Sequence, residues 1–181
     1  MSYYMLLPKE AYRILRNCPK CGSRSSFIST NNFRVNANGN RIDIWLIYQC
    51  EKCRHTYNLT IYERMKPSFL GREEFKAFLE NDKELVLKYG LNKGIFEANR
   101  AQIDTSKIPY SLKKLKEEKG ELVIKNPYGL KLRTDRLVAE ILEISRGAAK
   151  ELLKKEDTSI QSYLGEETVL LFTGKTDRDN G

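Results

Sequence analysis

Cys18-Pro19-Lys20-Cys21-Gly22 and Cys50-Glu51-Lys52-Cys53 decide the fold of this chain. Each is a C-x2-C pair, residues 22–49 lie between them, and the chain's 4 cysteines are all used. Two such pairs are the sequence form of a tetrahedral four-thiolate zinc site. The rival reading is disulfides. A disulfide inside C-x2-C is a redox-enzyme device, and two such pairs in one chain are more simply a metal site. Four thiolates fill the tetrahedron, so Cys18, Cys21, Cys50 and Cys53 are expected to hold a structural zinc with no open position for substrate. Thiolate ligands persist best in a reducing compartment, which points to the cytoplasm. His55, the 1 histidine, is expected at the surface where a strand begins.

Between the pairs lie Ser26-Phe27-Ile28 and Phe33-Arg34-Val35, then Asn38-Gly39, a strong hairpin signal of type I′. The returning strand Arg41–Gln49 runs into Cys50, and a third β-rich run, His55–Tyr62, follows Cys53. Knuckle, hairpin, knuckle and strand make a three-stranded antiparallel zinc ribbon over residues 1–65. So small a sheet would depend on its metal to fold. Arg41–Tyr48 alternates, with Asp43, Trp45 and Ile47 on one face and Ile42, Ile44, Leu46 and Tyr48 on the other. Both faces are largely apolar. Trp45, between Arg34 and Arg41, either packs inside the protein or stacks on a base of single-stranded nucleic acid.

Pro67 marks a boundary, and residues 71–89 carry helical spacing through Phe75, Phe78, Leu79, Leu85 and Val86. A short helix is expected at 94–98 and a solvated one at 111–119, closed by Gly120. Residues 66–120 thus form a helical connecting region. Further on, 121–124 and 130–133 are expected strands flanking the turn Asn126-Pro127-Tyr128-Gly129. Thr134 and Ser145 are expected to cap two helices, with Leu137, Val138, Ile141, Leu142, Ala148, Ala149, Leu152 and Leu153 inward. Residues 168–172 would be a last strand. Residues 121–174 form the third segment, and the polar end, 175–181, is an expected disordered tail. The fold class is α+β.

The net charge is +8, and it is uneven. Basic residues outnumber acidic ones nine to three over residues 1–60, fourteen to eleven over 61–126, and fall to nine against ten over 127–181. A basic zinc segment suggests an anionic partner such as RNA, against ordinary solubilising charge. The start, MSYYMLLPKE, lacks the build of a signal peptide, and nothing approaches a membrane span. No P-loop, G-x-S-x-G or histidine-centred constellation occurs, so no enzymatic activity is expected.

Two resemblances add to this. Phe33–Gly39 with Ile42–Cys53 resembles an uncharacterised bacterial family, domain of unknown function 1062, which brings no activity with it. Arg133-Thr134-Asp135-Arg136-Leu137-Val138-Ala139 and Ile144-Ser145-Arg146-Gly147-Ala148-Ala149-Lys150 resemble the S-four RNA-binding fold. Its motif is an R-L-D-type helix start, a turn ending in S-R and a second helix with an inward alanine. The resemblance implies RNA contacts by Arg133, Arg136, Arg146, Lys150 and Lys154. The chain departs from the pattern at Glu156-Asp157-Thr158, where that fold usually has a glycine and an Asn-Gly strand turn. The reading is a cytoplasmic zinc protein that binds RNA, associated with ribosomes or translation, with Arg34, Arg41 and Trp45 as a second contact arm. The alternative is a zinc-ribbon adapter that docks another protein and binds no nucleic acid.

Overall fold

The computed structural model describes residues 2–116, 121–156 and 161–171. In chain order its strands are β1 (Ser2–Pro8), β2 (Arg13–Cys18), β3 (Ser23–Asn38), β4 (Arg41–Cys50), β5 (Thr56–Met65), β6 (Gln102–Asp104), β7 (Tyr110–Lys116), β8 (Glu121–Lys125) and β9 (Glu167–Leu171). Its helices are α1 (Arg72–Leu79), α2 (Lys83–Gly90), α3 (Lys93–Ala98), α4 (Thr134–Leu142) and α5 (Arg146–Glu156). The α+β class holds. The chain forms two compact units, one over Lys9–Ile108 and one joining β1 to the described residues from Pro109 onward. The expected boundaries at 65 and 120 do not coincide with these units.

The Lys9–Ile108 unit carries a sheet of order β5-β4-β3-β2-β6. It has five strands where the sequence suggested three, because β2 before the first knuckle and β6 after the helices both join it. The turn between β3 and β4 pairs Asn38 with Arg41, so Gly39-Asn40 are its central residues. Gly39 sits at φ 61, and the central pair is shifted by one residue from the expected Asn38-Gly39. Ile42, Ile44, Leu46 and Tyr48 are buried in strict alternation with half-buried Asp43, Trp45 and Ile47. The helices cover the first of these faces. Phe78 of α1 meets Phe33 edge-on at 4.8 Å, and a Cβ on Gly90 of α2 would meet Leu46 at 3.5 Å.

The expected helix over 71–89 is two helices. Asn81 takes a left-handed φ of 54, and the Asp82 carboxylate accepts from the Leu85 amide at 2.9 Å, so one helix stops and the next is capped within two residues. Asn81 Oδ1 also accepts from the Phe33 amide, which ties the break to the sheet. Tyr12, Tyr48 and Phe96 fill the rest of this core, with the Tyr48 hydroxyl donating to the Tyr12 carbonyl at 3.0 Å.

The second unit is a sheet of order β7-β1-β8-β9, in which β1 pairs antiparallel with β7 and parallel with β8. The helix expected over 111–119 is instead strand β7 as far as residue 116, with 117–120 outside the described residues. Leu112 pairs with Leu6 of β1, whereas Lys113 and Leu115 are exposed. A lysine-rich edge strand guards a sheet against stray pairing, and its composition is also that of a solvated helix. Residues 130–133 form no strand. Arg133 makes one isolated bridge to Tyr163, while Leu130 and Leu132 are buried. The Asn126–Gly129 turn is present, closed by Gly129 N to Asn126 O at 3.0 Å. The last strand among the described residues is β9, where 168–172 was expected, and the expected tail at 175–181 lies outside the described residues.

Helices α4 and α5 form the expected hairpin. Leu137, Val138 and Ala149 are buried, but Leu142 and Ala148 are exposed. Ser145 caps α5, its hydroxyl accepting from the Ala148 amide at 3.1 Å. Thr134 does not cap α4: Arg133 holds the cap position, and the Thr134 hydroxyl donates to the Gln161 carbonyl at 2.7 Å. No described helix is long and apolar enough to cross a membrane.

Candidate metal centre and cationic hairpin

The two C-x2-C knuckles are conformational copies. Gly22 N donates to Cys18 O at 2.9 Å, and Arg54 N donates to Cys50 O at 3.0 Å. The residue after each pair is left-handed, Gly22 at φ 64 and Arg54 at φ 63. Gly22 adopts this freely, while Arg54 does so against a steric cost of about 1 kcal/mol. Cys18 ends β2 and Cys50 ends β4, so the sheet delivers both knuckles to one place.

All four Sγ atoms lie within 4.8 Å of one another, with Cys18 to Cys53 at 3.5 Å and Cys21 to Cys50 at 3.9 Å. A tetrahedron with metal–sulfur bonds of about 2.3 Å has sulfur–sulfur edges of about 3.8 Å. The cluster fits a metal ion, and the thiols are free of disulfides. Burial opposes charge on Cys50, but the backbone amides of Cys53 and Lys52 outweigh it and draw its thiol below the usual value. Cys21 moves the other way, raised chiefly by its hydrogen bond with Cys53. His55 is exposed and supplies only its carbonyl, which accepts from the Cys50 amide at 2.9 Å.

The expected nucleic-acid contacts fall into two groups. Trp45 is half-buried, with the Arg34 guanidinium 5.8 Å from its ring. Arg41 donates to the Arg64 carbonyl at 3.1 Å. In the hairpin the organising group is Asp135, to which the sequence pattern assigned no role. Its side chain is 6% exposed, and it accepts from Arg133 Nε at 3.0 Å and Arg146 Nε at 2.9 Å, with Lys150 Nζ at 3.9 Å. Burial alone would raise its carboxyl. The hydrogen bonds and charges of Arg133 and Arg146 reverse that and hold it at about 2. The three cations stay 44%, 51% and 51% exposed. Arg136 is exposed, and its side chain makes no hydrogen bond or ion pair among the described residues and acts on Tyr110 by charge alone, while Lys154 pairs with Glu151 at 2.9 Å.

The family model described as protein of unknown function (DUF1062) matches residues 35–163. The chain belongs to that family. The match opens inside β3 and runs through the α4–α5 hairpin, so it takes in Cys50 and Cys53 but not Cys18 and Cys21. No curated protein and no solved structure matches the chain.

Proposed function

We propose that this protein is a zinc-holding RNA-binding protein of the cytoplasm, acting on structured RNA such as that of ribosomes or the translation machinery, and not an enzyme. The single observation that carries the reading is the convergence of Arg133, Arg146 and Lys150 on the buried Asp135 carboxylate. One negative charge orders three positive ones, leaves a surplus of two, and leaves all three side chains about half in water. Arg136 on the same hairpin adds a further exposed guanidinium with no ion pair among the described residues. Preordered exposed guanidiniums suit phosphate recognition, since less side-chain freedom is lost on binding. The Arg133-Thr134-Asp135 start of α4 and the Ser145-Arg146 start of α5, which Asp135 joins here, are the residues on which the S-four likeness rests.

Zinc is the metal that four clustered thiolates favour. In this reading Cys18, Cys21, Cys50 and Cys53 hold it, and it cross-links the ends of β2 and β4. The hairpin formed by β3 and β4 then presents Arg34, Arg41 and Trp45 as a second arm. Binding would be chiefly electrostatic and would weaken with salt. Filter binding of the full chain to a structured RNA, at low and moderate salt, tests the proposal. Affinity well above that of a neutral control protein, falling as salt rises, is expected. Affinity equal to the control, with no salt dependence, would sink it.

A further inference from the structure

A cleft of about 440 Å³ opens in the Lys9–Ile108 unit, apart from the thiolate cluster. Its wall includes Arg16 of β2, Arg24 of β3, Tyr57 of β5, Gln102 of β6 and Arg100 from the turn between α3 and β6. Its volume lies within the roughly 300–1,000 Å³ typical of small-molecule sites. No acidic residue lines it.

Arg16, Arg24 and Arg100 bring three positively charged residues to one cleft with no acid among its walls, and an anion is what offsets that charge. None of the three has a carboxylate partner among the described residues. Two of the guanidiniums are held by side-chain contacts, and the third residue is held by its backbone. The Arg16 guanidinium lies 3.8 Å from the centre of the Tyr57 ring. Arg24 donates to the Gln102 side-chain carbonyl. Arg100 is fixed through its backbone, at a left-handed φ of 50, with its amide donating to Glu97 O at 2.9 Å. Backbone in that region is uncommon for a residue other than glycine, asparagine or aspartate.

We propose that this cleft binds a nucleoside phosphate, the phosphate on Arg16, Arg24 and Arg100 and the base against the Arg16–Tyr57 stack. Arginine forks match phosphate oxygens in pairs, and guanidinium planes and aromatic rings are the surfaces on which bases stack. Asn17 and Gln102 add amide groups able to meet the edge of a base. The ligand has two possible sources, a free mononucleotide or one nucleotide of an RNA strand. The site is built independently of the α4–α5 hairpin, so it stands or falls separately from the RNA reading.

Calorimetric titration of the full chain with AMP, UMP, inorganic phosphate and a short oligoribonucleotide tests it. The mononucleotides should bind more tightly than inorganic phosphate. Arg24→Ala and Arg100→Ala, both at exposed positions, should each weaken them about tenfold while leaving the thermal midpoint unchanged. Tighter binding of the oligonucleotide, lost in the same variants, would assign the source to an RNA strand. Equal or weaker binding of it would assign the source to a free nucleotide. Mononucleotide binding that is absent, or unaltered in both arginine variants, would overturn the proposal, as would inorganic phosphate binding as tightly as AMP.

Discussion

Asp135 and Arg146 meet across the α4–α5 turn, carboxylate Oδ2 to Nε at 2.9 Å, with the acid buried and the guanidinium half in water. The pair joins the two helices of the hairpin and sets where its cations point. Its contribution should depend on pH in a defined direction. The Asp135 carboxyl titrates at about 2 in the fold, against an ordinary 3.8. As pH falls, the unfolded chain therefore takes up the proton first. The stabilisation that Arg133 and Arg146 together give the Asp135 carboxylate is complete above about pH 4 and is lost toward pH 2. Its size is on the order of 2 kcal/mol, reduced because the guanidiniums are half solvated. Thermal midpoints of the wild type and Asp135→Asn, followed from pH 6 to 2, should differ at the upper end and converge at the lower. A gap that stays constant across that range would count against the assignment.

Metal removal should loosen the knuckles without dissolving the sheet. A small ribbon alone would collapse without its ion. The unit instead buries Tyr12, Phe27, Phe78 and Phe96 fully, a core far larger than a ribbon's. After chelation, far-ultraviolet circular dichroism should keep its strand signal. The amides of Gly22 and Arg54, which close the two knuckles, should lose protection from hydrogen exchange, and all four thiols should become reactive. Complete loss of strand signal on chelation would show that the metal, rather than the apolar core, supports this unit.

Gly90 should tolerate no side chain. A Cβ there would stand 2.4 Å from Ala11 Cβ, while Gly90 O accepts from Tyr12 N at 2.8 Å, so the two backbones are held together. Gly90→Ala should cost about 1–3 kcal/mol, read as a shift in the urea midpoint. Adding Ala11→Gly should recover part of that loss. No recovery in the double variant would place the strain elsewhere.

Asn99 closes one end of the same unit by pairing its side-chain amide with a strand. Its Oδ1 accepts from Thr60 N at 3.0 Å, and its Nδ2 donates to Thr60 O at 2.9 Å and Ile95 O at 2.8 Å. Asn99→Ala should cost about 1–3 kcal/mol in chemical denaturation. Asn99→Asp should cost more, since a carboxylate would face two carbonyl oxygens that had received donors. The reverse order of the two variants would contradict these contacts.

The parts of this fold written in local chemistry were legible in the sequence. Cysteine spacing placed the knuckles, alternation from Ile42 to Tyr48 gave β4 its buried face, and Ser145 marked the start of α5. The parts written in distant pairing were not. Ser2–Pro8 is too short and too mixed to announce a strand, yet β7 and β8 flank it on both sides. Lys113 and Leu115 in β7 carry the composition of a solvated helix because an exposed sheet edge needs the same residues. At the sites, the cysteine cluster could be read from spacing alone. The role of Asp135 could not, since the arginine that completes it lies eleven positions away. Arg16, Arg24 and Arg100 come from three separate elements, and only folding brings them to one cleft.

The most direct test of the account is the salt dependence of RNA binding by the hairpin. The Arg136 side chain makes no hydrogen bond or ion pair among the described residues, and Lys150 approaches Asp135 only at 3.9 Å, so both can be removed with the Arg133–Asp135–Arg146 link intact. Affinity for a structured RNA should be measured at several salt concentrations for the wild type and for Arg136→Ala/Lys150→Ala. If these side chains meet phosphates, the double variant binds more weakly and its slope of log K against log salt is shallower by roughly one to two. An unchanged affinity and slope in the double variant, or a wild type with no slope at all, would contradict the claim that this hairpin is an RNA-binding surface.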